Sequence, residues 1–328
     1  MIRYLAWRLL WMLPLLLGIL LLSFLVIQLA PGGPLGLETD FNPKVSPQAI
    51  EQLRAQYHLD RPLLEQFWRW LNQVIRLDFG TSLSPDARPV WDKIAAALPL
   101  TLWMNIIGLV LVFALAVPLG VVAARYANSW LDHGLMVLVF IGFAIPSFWL
   151  GLVLMLWLGV EWGVVPITGY QTIGSEAWPW WQRLLDWAHH LALPLAVGLI
   201  GSIAGLSRYM RSSVLDVIAQ DYITTARAKG LPETLVFTRH ALGNALLPVV
   251  TILGLSLPGL IGGSVLIESI FSLPGMGKLF YDAVLMRDYP VIMGILTLGA
   301  ILTLLGNLLA DLGYALIDPR IRVGKQGH

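Results

Sequence analysis

The length of the apolar runs constrains this chain more than any other feature. Six stretches, at about 9–30, 98–124, 134–160, 191–206, 247–267 and 291–316, approach or exceed the roughly 20 apolar residues that a helix needs to cross a bilayer. Hydrocarbon offers the backbone no hydrogen-bonding partner, so continuous runs of this kind must satisfy their own N–H and C=O groups as helices. The expectation is an all-α polytopic membrane protein with six transmembrane helices. Composition agrees. Apolar residues make up 57% of the chain and charged residues 12%, where soluble domains carry about a quarter charged.

The distribution of Lys and Arg sets the orientation. With the N-terminus in the cytoplasm, Arg3, Arg8, Arg125, Arg208, Arg211, Arg227, Lys229, Arg239, Arg320, Arg322 and Lys325 all fall inside, and the short outer loops hold Arg183, Lys278 and Arg287. Both termini are therefore expected inside. The first run is too long for a signal-peptide core and no small-residue cleavage site follows it, so it is read as an uncleaved span. The net charge of +1 gives no pointer to nucleic acid. With no cysteine, a disulfide framework and a thiolate metal site are both excluded. The six His residues show no ligand-like spacing.

Between the first two spans, residues 31–97 read as a helical extracytoplasmic insert. Ser46-Pro47 opens one helix as N-cap and first-turn proline, and Asp60-Arg61-Pro62 opens another over 63–77 that stops before Asp78-Phe79-Gly80. Trp68, Trp70 and Trp91 suit either a membrane surface or packing between these helices. Residues 161–190, with Trp162, Trp178, Trp180, Trp181 and Trp187, read as an interfacial belt with a short surface helix. Gly254, Gly259, Gly262 and Gly263 beside Pro258 mark a helix that packs closely or bends, as a gate helix or a static bundle does.

Several polar residues fall within or beside spans. Asn105 and Ser147 can line a path or bond between helices. Glu268 sits at the outer end of the fifth run, where it can meet a solute or simply be solvated. Asp311 is expected to face protein or the inner surface. The candidate path residues are Asn105, Ser147, Gly259, Gly263 and Glu268.

The stretch Asp221-Tyr-Ile-Thr-Thr-Ala-Arg-Ala-Lys-Gly-Leu-Pro-Glu233 is a polar helix–turn–helix between apolar runs. Asp221 is expected to cap the first helix, and Arg227 and Lys229 suit its C-terminal end. Gly230 is placed as the left-handed residue after the helix, with Pro232 blocking continuation. Thr224, Thr225, Ala226 and Ala228 keep the helix slim, as insertion into a cleft on another protein requires. A membrane bundle does not need such an element for its own fold, so a soluble partner is expected to dock there.

This segment resembles the cytoplasmic coupling loop of permeases of ABC importers with the type I fold. Aligning Gly230 with the family glycine puts Thr224, Thr225 and Ala226 on its Glu-Ala-Ala positions. The departures match the dipeptide, oligopeptide and nickel branch, whose loop is similar to residues 221–230 followed by His240-Ala-Leu-Gly-Asn-Ala-Leu-Leu-Pro248. Met1-Ile-Arg-Tyr-Leu-Ala-Trp-Arg8, Ala30-Pro-Gly-Gly-Pro34, Asp78-Phe-Gly-Thr-Ser82, Pro146-Ser-Phe148, Phe271-Ser-Leu-Pro-Gly-Met-Gly277, Arg287-Asp-Tyr-Pro290 and Asp318-Pro-Arg320 also resemble that branch. The Trp-rich outer segment and the Gly-Gly-Pro element resemble those of the Yej-type oligopeptide permease.

The resemblance implies a multi-pass permease of the bacterial inner membrane, half of a heterodimer with a homologous second permease. Two ATP-binding subunits would supply ATP and Mg, and an extracytoplasmic substrate-binding protein would deliver peptide; the chain itself would carry no cofactor. The expected organisation is 1–97 for the first span and insert, 98–317 for the core with its coupling loop at 208–246, and 318–328 for a cytoplasmic tail. The ATPase-coupling residues would be Asp221, Thr224, Thr225, Ala226, Arg227, Ala228, Lys229, Gly230 and Leu231. ATP-driven closure of the ATPases would move this hairpin as a lever and rock the bundle between two access states. A nickel chelate, glutathione or another small solute is the alternative cargo. An intramembrane enzyme would need paired acids, Ser with His, or HExxH, and the sequence offers no such constellation. Ion-coupled transport needs buried ionisable groups, which are scarce, and leaves the hairpin without a purpose. Gly275-Met-Gly-Lys278 lacks the first Gly and final Ser or Thr of a phosphate loop, so nucleotide binding is not assigned here.

Overall fold

A computed structural model describes residues 2–29, 60–256, 259, 260 and 262–317. The expected helix at Ser46-Pro47, the Gly-Gly-Pro element, Pro258, the side chain of Asp311 and the tail from 318 lie outside the described residues. The described residues are mainly helical. The helices are α1 (Ile2–Gln28), α2 (Leu63–Ile75), α3 (Val90–Arg125), α4 (Trp130–Ala144), α5 (Ser147–Glu161), α6 (Trp180–Ile218), α7 (Asp221–Ala228), α8 (Glu233–Ser256), α9 (Val265–Ile270), α10 (Met276–Leu285) and α11 (Tyr289–Ile317). Five helices are individually long and apolar enough to span a membrane: the Trp7–Gln28 part of α1, α3, α6, α8 and the Tyr289–Leu309 part of α11. The pair α4–α5, counted as one broken span, makes six.

Three expected spans differ from the observed helices. The third is broken, not straight: α4 and α5 meet at 92°. Pro146 lacks an N–H and crowds the residue before it out of the helical region, and Ile145 accordingly sits at φ −81°, ψ 124°. The fourth, expected as the shortest run, is the interior of α6, the longest helix at 39 residues. The helix extends through the polar and aromatic flanks on both sides of the apolar run, and it continues through a buried Pro194. The fifth begins earlier and ends earlier. α8 starts at Glu233 and stops at Ser256, short of the expected 267. The Gly- and Pro-rich stretch after it has low helix propensity, and Gly263 takes φ +61°.

The chain divides into two compact units. One comprises Met1–Thr101, Ile261–Val265 and Pro274–Leu308. In it, α2 packs on α1 through an edge contact of Phe24 with Phe67 at 5.5 Å and stacking of Phe24 on Trp70 at 6.0 Å. The Gln28 amide donates to Gln66 Oε1 at 2.9 Å. Trp70 therefore packs the helices together, while Trp68 remains exposed. Val90, Ile94 and Ala97 of α3 form a second core with Phe79, Met276, Ala283, Val291 and Ile292. Asp288, 2% exposed, ties the segments: the Ser82 hydroxyl donates to Oδ2, and the Leu83 N–H donates to Oδ1 at 3.1 Å.

The other unit comprises Leu102–Leu260, Leu266–Leu273 and Leu309–His328. Its core joins Val112, Ala116 and Ala124 of α3 to Leu206, Met210 and Val214 of α6 and to Phe237, Ala245 and Val249 of α8. The expected interfacial belt contains a 3-10 turn at Ser175–Ala177, and α6 begins directly after it, with Trp180 and Trp181 exposed.

Candidate coupling hairpin

The polar hairpin forms as a helix–turn–helix. The expected cap is displaced by one residue: Gln220 occupies the N-cap position, without a capping side-chain bond, and Asp221 is the first residue of α7. The Asp221 carboxylate still lies at the positive end of the helix dipole. Thr225 Oγ1 donates to the Asp221 carbonyl at 2.9 Å. At the other end, Lys229 is the C-cap and Gly230 takes φ +75°. Space around Gly230 is open, so what excludes other residues is the left-handed backbone, not a clash. Pro232 then stands at the N-cap of α8.

The turn carries a tie that sequence reading missed. Arg227 Nε donates to Glu233 Oε2 at 3.1 Å and Nη2 to Oε1 at 2.7 Å, a two-pronged pair across the elbow. Glu233 beside it holds the Arg227 guanidinium above its usual pKa. The signal was present as an acid and a base flanking Lys-Gly-Leu-Pro, but only the turn geometry brings them face to face. Asn244 Nδ2 adds bonds to Tyr222 Oη at 2.9 Å and the His240 carbonyl at 3.1 Å.

The hairpin has two faces. Ile223 and Ala226 of α7 pack against Val236 and Ala241 of α8, with Leu231 half-buried beside them. Asp221, Tyr222, Thr224, Thr225, Arg227, Ala228 and Lys229 are exposed, as is Gly230. Beyond the elbow, α8 passes through a π-helical turn at Val236–Ala241. Phe237 of that turn is buried, with the Arg125 guanidinium 5.0 Å from its ring centroid.

The candidate path residues stand at separate places among the described residues. Asn105 Nδ2 donates to the Leu260 carbonyl at 2.6 Å, beside Gly259, which is exposed. Ser147 is exposed at the start of α5. Glu268, expected at the outer end of the fifth run to meet a solute or be solvated, is 2% exposed within α9. After α9 the chain turns back, and the Leu273 N–H donates to the Glu268 carbonyl at 2.8 Å.

The described residues thus form a set of membrane-length helices with a polar helix–turn–helix between two of them, and comparison with known proteins identifies the family. Residues 116–323 match the family described as binding-protein-dependent transport system inner membrane component, and residues 1–105 match the N-terminal family of the same membrane components. The chain belongs to this family of binding-protein-dependent inner-membrane permeases. It is 45% identical over 321 residues to the oligopeptide transport system permease protein AppB of Bacillus subtilis, covering 98% of this chain and 99% of that one. It is 39% identical over 323 residues to the glutathione transport system permease protein GsiC of Salmonella paratyphi A, with coverage of 98% and 99%. Among solved structures, the MetNI methionine ABC transporter shares the fold at a TM-score of 0.53 and 19% identity, covering 69% of this chain and 96% of that one. The fold is that of a type I ABC importer permease.

Proposed function

We propose that this chain is one membrane half of an ATP-driven peptide importer and that its hairpin receives the thrust of a cytoplasmic ATPase. Both termini face the cytoplasm, and a homologous second permease completes the path. Two ATP-binding subunits hold ATP and Mg beneath it, and an extracytoplasmic receptor presents the cargo. This chain does no bond chemistry itself. The segment 98–317 is the transport core and 208–246 its coupling loop, with 1–97 as span plus insert and 318–328 as a tail.

The observation that carries this reading is the elbow. Its polar face, from Asp221 to Lys229, is open to a partner, while its apolar face is fixed to α8. A lever must transmit force without folding up, and the left-handed Gly230 and the Arg227–Glu233 fork hold its angle. Asn105, Ser147, Gly259, Gly263 and Glu268 are assigned to the path. Peptide is favoured as cargo by the 45% identity to an oligopeptide permease. Glutathione, itself a small peptide, is the second reading, favoured by the 39% identity to a glutathione permease.

Gly230→Val tests the assignment, because a β-branched residue is strained at φ +75°. The variant is expected to insert in the membrane at normal abundance and to lose peptide uptake together with peptide-stimulated ATP hydrolysis. Normal uptake by this variant would remove the lever mechanism.

A further inference from the structure

The stem of the hairpin is held far more firmly than its tip. Arg211 lies on α6 about 10 Å before the helix ends at Ile218, at the helical rise per residue. Its Nε donates to Asp132 Oδ1 at 2.7 Å and its Nη2 to Oδ2 at 2.6 Å. The Asp132 carboxylate also accepts the Asn128 N–H at 2.9 Å and is 2% exposed. Ser129 caps α4 by accepting the Asp132 N–H at 3.3 Å, so the acid stands in the first turn of that helix. Nearer the start of α6, the Arg208 guanidinium lies 5.4 Å from the centroid of Phe140, also on α4.

A second helix grips α6 at the same level. A Cβ on Gly120 of α3 would stand 2.5 Å from the Ser207 carbonyl oxygen, 2.6 Å from Met210 Cβ and 3.0 Å from the Arg211 N. The two backbones touch there, and Ser207 and Met210 are fully buried. α6 can neither slide nor turn against α3 and α4 at this point without breaking a fork or forcing a backbone apart. Below it the helix runs unbroken to Ile218, and the hairpin follows at Asp221.

A buried ion pair adds little net stability over an apolar contact; its best-attested use is to fix register. We infer that Gly120, Asp132 and Arg211 form the fulcrum through which displacement of the hairpin is passed to α3 and α4. They are positioning residues that touch neither nucleotide nor cargo. This inference rests on the coupling role proposed for the hairpin.

The test uses the whole complex, with its partner permease, ATPases and receptor, in proteoliposomes, with a radiolabelled mixed-sequence pentapeptide as probe. Asp132→Asn is expected to co-purify with its partners and still hydrolyse ATP, while uptake per ATP falls at least about tenfold. Arg211→Lys keeps the charge but not the two-pronged geometry, and is expected to recover only part of the coupling. Gly120→Ala, which wedges α3 from α6 without altering charge, should uncouple in the same way. Unchanged uptake per ATP in Asp132→Asn or in Gly120→Ala overturns the fulcrum. So does a loss of uptake that merely tracks loss of assembled complex in all three variants. Gly230→Val separates the two ideas: if it stays coupled, the hairpin role fails and the fulcrum with it. If it uncouples while Asp132→Asn does not, the fulcrum alone fails.

Discussion

The elbow at Gly230 and the tie at Asp288 both rest on a carboxylate, and they are built in opposite ways. Glu233 meets Arg227 across one tight turn, with both side chains substantially exposed. Asp288 meets Ser82 and Leu83 from the other end of the sequence and is almost completely buried. The elbow is a local structure, specified by residues that are neighbours in the chain. Its ion pair works in high dielectric and sets an angle more than it adds stability. The Asp288 tie exists only after α3, α10 and α11 have packed around Val90 and Val291. A part that moves against a partner is well served by the first design, and a buttress by the second.

The sharpest way to break this comparison is Asp288→Ala. It removes the acceptor of the Leu83 N–H, at about 1–3 kcal/mol for a donor left unsatisfied, and leaves the buried Ser82 hydroxyl only Ser84 Oγ to donate to. A clear drop in melting temperature of the purified complex is expected, measured by tryptophan fluorescence in detergent. An unchanged melting temperature would show that the buttress is not structural. Gly230→Val comes next: a confined backbone strain of about 1–2 kcal/mol, small in melting temperature and large in transport.

Arg227→Ala ranks below both. It should leave the melting temperature within measurement error and reduce uptake less than Gly230→Val does, since the glycine still sets the turn. If Arg227→Ala unfolds the protein as Asp288→Ala does, the distinction between the two regions collapses.

The smallest effect concerns Asp86, whose hydrogen bonds from Lys93 and Ser84 hold its pKa at about 2, well below the usual carboxylate range. A depressed carboxylate pKa stabilises the fold above the unfolded value and loses that contribution as pH falls through the folded one. The Lys93–Asp86 pair at 2.8 Å is therefore expected to persist at pH 3 and to fail near pH 2. The carboxyl carbon chemical shift of Asp86 reports it; titration near 4 would refute the pairing.

The hairpin was legible in the sequence because every element of it is short-range. Pro232, Gly230 and the charges at the ends of α7 each act within one turn of their own position. The second insert helix was legible for the same reason, with Pro62 and Asp78 bracketing α2. The break at Pro146 was not read, because membrane helices often carry proline without bending. α6 itself continues through Pro194. What separates the two prolines is their surroundings: Pro194 is buried within its helix, and Pro146 is exposed at a helix start. Glu268 was left open between a solute and solvent, because its burial depends on tertiary packing around α9 that nearby residues do not specify.

The sequence alone therefore determined the solvent this chain lives in, the number of apolar runs and the shape of the elbow. Chain length against bilayer thickness and the torsional limits of glycine and proline are properties of residues and their neighbours. Only the tertiary structure decided that Asp132 meets Arg211, that Asp288 meets Ser82 and that α3 touches α6 at Gly120. Those pairings join positions far apart in the chain, and a side chain carries no local mark of the distant partner that will neutralise it or pack against it.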